Sequence, residues 1–115
     1  MSGRSIDYRG ALEAVERILN RGGDADDVLR GVLEALHERG VPFATVRFVE
    51  DERIVDGPSI GRATDGIEAP VVYEGARVGS LELAVDDGAF VERLATLISP
   101  YVLVGWDTGG EEWSP

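Results

Sequence analysis

The chain has 115 residues and no cysteine. Its formal charge is −11, because it contains 22 acidic residues and 11 basic ones, all of them arginine. This length corresponds to one domain with a single core, and the absence of thiols excludes disulfides, cysteine-ligated metals and thiol catalysis. A net negative charge of this size repels phosphate backbones and anionic bilayers, so we expect neither nucleic acid nor a membrane as a partner.

Two amphipathic helices are predicted at the start of the chain. Apolar residues recur at three- and four-residue spacing from Asp7 to Asn20, with Asp7 as the N-cap and "NRGG" as the stop. A second apolar stripe begins after Asp24, which is the expected cap of the second helix. Gly40 and Pro42 end that stripe.

The middle of the chain predicts strands. "FATVRFVE", residues 43–50, alternates between two faces, and "EDER" predicts a turn into the short strand "RIVDG". Residues 57–66, "GPSIGRATDG", are rich in glycine and proline and predict a loop, with at most a brief extended piece at Ser59 and Ile60. "APVVYEGARVGSLELAV", residues 69–85, predicts a hairpin whose arms meet at Glu74-Gly75.

The last helix is predicted in "DDGAFVERLATLISPYVLVGW", residues 86–106. Pro100 lies inside its stripe and is expected either to kink the helix or to restart it with Ser99 as the cap. We interpret the whole chain as one domain, with residues 1–6 as a flexible N-terminus and residues 107–115 as a C-terminal tail. No apolar segment resembles a signal peptide, which predicts a cytoplasmic protein.

The predicted sheet has two unlike faces. One face is apolar and needs a layer of helices over it, whereas the other is polar and carries charges of both signs. A solvated face with an Arg47–Glu82 pair is the simpler interpretation. The alternative is a shallow site in which the Arg47 guanidinium binds an anionic group. The residues that this alternative assigns to ligand binding are Thr45, Arg47, Tyr73, Ser80 and Glu82.

The residues give little support for metal binding or catalysis. His37 is the single histidine, whereas metal and triad sites usually need further imidazoles or thiols. No acidic run has the spacing of a calcium loop, and Asp86 and Asp87 are typical of helix caps. We therefore expect no metal, no cofactor and no catalytic residue. A carboxylate pair that meets only in the folded chain leaves an acid-based hydrolase as a further hypothesis.

The order of these elements resembles a GAF domain. Two helices, "TVRFVED", a turn, a loop, "PVVYEGARVGSLEL" and a closing helix follow one another, and "ARVGSLEL", residues 76–83, is similar to the family's "xVxGxLxL" strand. The resemblance implies an α+β fold in which an antiparallel sheet of about four to six strands carries the N- and C-terminal helices on one face. It also implies that the opposite face binds cyclic nucleotides, bilins, haem, small metabolites or nothing, and that the terminal helices form dimers.

Two departures from the family shape the functional hypothesis. Only residues 57–68 replace the longer insertion that roofs a GAF pocket, and no cysteine is present for bilin attachment or for thiol-based sulfoxide reduction. We therefore predict a noncatalytic regulatory or interaction domain that forms a homodimer. Another protein is a further candidate partner. A sensor of an anionic metabolite or nucleotide is the alternative. The residues predicted at the dimer interface are Tyr8, Leu12, Tyr101, Val102, Leu103 and Trp106.

Overall fold

A computed structural model describes residues 6–104, which contain three helices and four strands. Most of the predicted flexible N-terminus and all of the predicted tail lie outside these residues. In chain order the elements are α1 (Tyr8–Arg21), α2 (Ala25–Glu38), β1 (Phe43–Glu50), β2 (Arg53–Gly61), β3 (Ile67–Tyr73), β4 (Ala76–Leu83) and α3 (Gly88–Val104).

The four strands form one antiparallel sheet in the order β2-β1-β4-β3. Both hairpins close through two-residue turns whose two positions have positive φ. These are Asp51 and Glu52 between β1 and β2, and Glu74 and Gly75 between β3 and β4. Paired positive φ values are typical of type I′ turns, whose twist matches that of the flanking strands. Both predicted turns are confirmed.

All three helices lie on one side of the sheet. α3 packs on β3 and β4, α2 packs on β2 and β1, and α1 packs mainly against α2 and α3. The predicted α+β architecture is therefore confirmed, although α1 forms an outer layer instead of lying on the strands. The core between helices and sheet is built from fully buried side chains, among them Leu29, Leu33, Val46, Phe48, Leu81, Leu83, Leu94 and Ile98.

The prediction of a loop over residues 57–66 is wrong for its first half. β2 continues to Gly61, and only residues 62–66 connect it to β3. Gly57 and Pro58, which favour a loop in the sequence, lie within β2. β2 is an edge strand, so a proline there costs no hydrogen bond to a further strand. Gly57 approaches β1 so closely that a Cβ atom would meet the Phe48 ring.

A bulge lies beside these two residues. Thr45 pairs with Ser59, whereas Arg47 pairs with Asp56, so β2 carries one residue more than β1 across this interval. A bulge of this kind shifts the register of every later pair. It is the reason that Asp56, and not Gly57, lies beside Arg47.

α3 runs without interruption through Pro100 as far as Val104. The predicted restart at Ser99 is therefore wrong. The cap predicted at Asp86 or Asp87 is present at the start of the helix. There Asp87 Oδ1 accepts a hydrogen bond from the Phe90 amide. Within residues 6–104, no helix has the combined length and apolar character needed to cross a bilayer.

Candidate functional site on the open sheet face

The sheet face opposite the helices is called the open face here. Strand pairing and the two-residue alternation of side chains arrange it in rows across the four strands. The row nearest the hairpin turns is apolar and contains Ile54, Val49 and Val72. The next row contains Asp56, Arg47, Ser80 and Pro70, and the row beyond it contains Ser59, Thr45, Glu82 and Glu68.

No long segment is available to cover the open face from the β2–β3 connection. β2 and β3 lie on opposite edges, three strand spacings apart, or about 14 Å. From Gly61 to Ile67 the chain spans at most about 20 Å. Most of this length is used in crossing the end of the sheet, where Gly61 pairs with Phe43 and Gly66 lies beside the Leu83 carbonyl. Residues 62–66 therefore cannot fold back as a roof.

Arg47 is the centre of a cluster of three carboxylates. Its Nη2 lies 3.2 Å from Glu82 Oε1, its Nη1 lies 3.5 Å from Glu68 Oε2, and its Nε lies 3.8 Å from Asp56 Oδ1. The three acids come from three different strands, because β1 lies between β2 and β4, and Glu68 reaches across from β3. The predicted Arg47–Glu82 pair is present, but it runs diagonally, since Arg47 faces Ser80 and Glu82 faces Thr45.

The charge of this Arg47 cluster is negative. One guanidinium and three carboxylates give a formal sum of −2. Every nitrogen of the guanidinium already has a carboxylate beside it, so an anionic ligand would have to displace an acid from Arg47. Among residues 6–104, no group of three or more acidic, histidine or cysteine side chains is arranged to hold a metal ion.

Two of the predicted ligand-binding residues are buried within the sheet. Thr45 donates a hydrogen bond from Oγ1 to the Pro58 carbonyl at 3.2 Å, so its hydroxyl links β1 to β2. Ser80 is 0% exposed, and its Oγ has no hydrogen-bond partner within the described part of the chain. A buried hydroxyl without a partner is uncommon in folded proteins and is costly.

Tyr73 is placed away from the other predicted site residues. β3 alternates regularly, and Tyr73 has the parity of Ala69 and Val71, which are buried under the helices. The structure therefore brings Thr45, Arg47, Ser80 and Glu82 together and leaves Tyr73 on the other face. Whether any of them binds a ligand stays a prediction.

Sequence reasoning missed two members of the Arg47 cluster. Glu68 lies one residue before the predicted hairpin, yet the alternation of "IEAPVVY" already places it on the same strand face as Pro70 and Val72. Asp56 carried no comparable signal, since its place beside Arg47 depends on the bulge in β2.

Comparison with solved structures identifies the architecture. The crystal structure of the GAF domain from the Acinetobacter phosphoenolpyruvate-protein phosphotransferase superposes with a TM-score of 0.66 and 13% sequence identity. The match covers 97% of this chain and 100% of that one. This chain has a GAF-like fold. The predicted resemblance is thus confirmed at the level of the fold. No family model and no curated protein matches the GAF-like chain by sequence.

The residues predicted at the dimer interface of the GAF-like domain have different surroundings. Tyr8 packs edge-on against Phe90 with 4.8 Å between ring centroids, and its hydroxyl donates to Asp86 Oδ1 at 2.9 Å. The Tyr101 hydroxyl donates to the Leu19 carbonyl at 3.3 Å. Both tyrosines therefore tie the α1 and α3 regions together within one chain.

The remaining interface residues of the GAF-like domain divide by exposure. Val102 is 1% exposed and belongs to the core, so its side chain cannot face a partner without opening the domain. Leu103 is 49% exposed and Leu12 is partly buried against the core. Trp106 lies outside the described residues. Leu103 is thus the predicted interface residue with the largest described apolar exposure.

Proposed function

We propose that this GAF-like domain is a noncatalytic regulatory module that acts through protein contacts and forms a homodimer along α1 and α3. The observation that carries the proposal is the short β2–β3 connection: within residues 6–104, its five residues form no roof over the open face. Small-molecule sites in proteins are concave and bury most of the ligand surface. The structurally similar domain belongs to a phosphotransferase, which supports a modular, regulatory role.

The same geometry argues against the hydrolase hypothesis. A general acid at neutral pH needs a carboxyl group in an apolar, desolvated setting. In the Arg47 cluster, the Asp56 and Glu68 side chains are 94% and 50% exposed, and Glu82 is paired with the guanidinium. The cluster is therefore suited to contact and not to proton transfer.

The dimer hypothesis rests on α3 and its half-exposed Leu103. Aromatic and aliphatic side chains form the cores of homodimer interfaces, and Leu103 is a large apolar side chain exposed on α3, the helix that contacts α1. Sedimentation equilibrium of the full chain over a range of concentrations tests this arrangement. We expect a dimer at micromolar concentration.

Two variants make the test specific. Leu103→Glu should raise the dimer dissociation constant at least tenfold, because it buries a charge in the contact. Thr64→Glu adds the same charge at an exposed position of the β2–β3 connection, outside α1 and α3, and should leave the constant unchanged. A chain that stays monomeric at 100 μM, or equal effects of the two variants, would overturn the proposed dimer.

The sensor alternative has its own measurement. A ligand at 100 times its Kd stabilises the folded state by about 2.7 kcal/mol. Thermal denaturation in the presence of a panel of anionic metabolites and nucleotides would reveal such an effect. We expect no stabilisation of that size, and a clear shift with one compound would replace the interaction module with a sensor.

A further inference from the structure

We propose that the open face is a docking surface for a positively charged protein segment, one that presents arginine or lysine next to an apolar side chain. This inference rests on the proposed interaction function and names the surface and the chemistry of the partner. Arg47 alone predicts a negatively charged ligand, whereas this surface favours a positively charged one, because three carboxylates surround that arginine.

The first support is the charge of the Arg47 cluster. One oxygen of each carboxylate lies 3.2–3.8 Å from Arg47, and an ionised carboxyl group has two oxygens that together accept several hydrogen bonds. A second guanidinium or an ammonium group can therefore bind between Glu68 and Glu82 without displacing Arg47. It would compensate a formal charge of −2, whereas an anion would increase the repulsion.

The second support is the unpaired hydroxyl of Ser80. This residue lies in the same row as Arg47, between that side chain and Pro70, and the alternation of β4 directs it to the open face. It is fully buried, and its Oγ finds no partner in residues 6–104. A docked polar group would supply the missing hydrogen bond by displacing one of the side chains that cover this hydroxyl. The hydroxyl can donate or accept, so the bond sets no further condition on the partner.

The third support is the exposed apolar row beside the cluster. Ile54 is 54% exposed and Val72 is 46% exposed, and Val49 lies between their strands. This row is separated from the Arg47 row by two residues along a strand, or about 7 Å. A partner that fits both rows carries an apolar side chain about 7–13 Å from its cation.

A positive charge borders this surface at the hairpin end. Arg77 pairs with Val72 at the hairpin end, and its Nε donates to the Gly79 carbonyl at 3.3 Å. The acidic rows lie further from the turns, so the cation is expected near Glu68 and Glu82, and the apolar group near Val49 and Ile54. This polarity gives the docked segment a preferred direction.

Titration of the isotope-labelled full chain with a defined peptide tests the inference. The probe is a ten-residue peptide of repeated Arg-Ser-Leu-Ser, which places arginine and leucine two residues, or about 7 Å, apart on one face of an extended chain, and the matched peptide carries glutamate in place of arginine. We expect the arginine peptide alone to shift the backbone NMR signals of residues 45–49, 54–59, 68–72 and 80–82. Shifts confined to the helices, no binding at 1 mM peptide, or equal binding of the glutamate peptide would overturn the proposal.

Matched variants separate docking from general attraction to an acidic chain. Glu68→Gln with Glu82→Gln should weaken the arginine peptide about tenfold, because two cation contacts are removed. Glu13→Gln with Glu92→Gln removes the same charge from exposed positions on α1 and α3 and should change the affinity less than twofold. Equal losses of affinity in the two pairs of variants would indicate nonspecific attraction and would overturn the proposed docking surface. The homodimer along α1 and α3 would be unaffected by that result, since its test uses neither the peptide nor the open face.

Discussion

The Ser99 hydroxyl donates a 2.9 Å hydrogen bond to the Thr96 carbonyl, which is the carbonyl that Pro100 leaves without its helical donor. A proline in a helix interior removes the bond from its own amide to the carbonyl four residues earlier. Here a neighbouring side chain replaces that donor, so α3 continues to Val104 and carries Val102 into the core over β4.

Replacing Ser99 by alanine should lower the free energy of unfolding by about 1 kcal/mol, since the Thr96 carbonyl would lose its donor. The loss should be smaller in a Pro100→Ala background, because alanine restores the backbone amide donor. Urea denaturation of the four chains in this double-mutant cycle measures the difference. Equal losses in both backgrounds would show that the hydroxyl does not compensate for proline.

Gly79→Ala should destabilise the domain by about 2 kcal/mol or more, in the range of overpacked cores. A Cβ atom at this position would lie against the Arg47 carbonyl and 2.8 Å from Val102 Cγ1. The backbone of β1 cannot withdraw without breaking its pairing with β4. Thermal and urea denaturation of the variant provide the measurement.

Gly88→Ala is the matched control for that substitution. Nothing lies within 4 Å of a Cβ atom at Gly88, in the first turn of α3. Alanine is the better helix former, so stability should stay equal or rise slightly. A comparable loss at both glycines would refute the close approach of Val102 and Gly79 as the cause.

Arg47→Gln should lower the free energy of unfolding by about 1 kcal/mol, because three carboxylates would then repel one another across the open face. The loss should shrink as salt is added, since exposed charges are screened. Arg93→Gln removes a single exposed pair, with 3.7 Å between Arg93 Nη2 and Glu16 Oε2, and should cost less than about 0.5 kcal/mol. Urea denaturation at 20 mM and 500 mM salt compares the variants, and a salt-independent loss at Arg47 would contradict the charge argument.

Tyr8 should make stability depend on pH in the alkaline range. Burial raises the pKa of its phenol above the ordinary value of 10.0, and the hydrogen bond to Asp86 raises it further. The unfolded chain then releases this proton at a lower pH than the folded chain. The contribution to stability is complete below pH 10 and is lost as the pH rises through the folded-state pKa.

The matching variant is Tyr8→Phe, which has no phenolic proton. From pH 8 to pH 9 the stability curves of the two proteins should run parallel, and above pH 10 that of the parent chain should fall more steeply. Urea denaturation midpoints across this range provide the comparison. Curves that stay parallel to pH 11 would show that Tyr8 ionises equally in both states.

The local elements of this fold could be predicted with little loss. α1 begins after Asp7, whose carboxylate accepts from the Gly10 amide, and α2 begins after Asp24 as expected. The turn at Glu74-Gly75 also lies where the sequence placed it. These features depend on spacing, caps and turn residues within a few positions of each other. The candidate site was predicted in part, since Arg47 and Glu82 meet, but their acidic neighbours were missed.

The sequence by itself determined which segments become helices and strands, and which strand faces are apolar, because these depend on periods of 3.6 and 2 residues along the chain. Only the tertiary structure decided the bulge that places Asp56 beside Arg47 and the burial of Ser80 and Val102. These outcomes depend on register and close approach between strands distant in sequence, and a shift of one residue reverses the face of every side chain that follows.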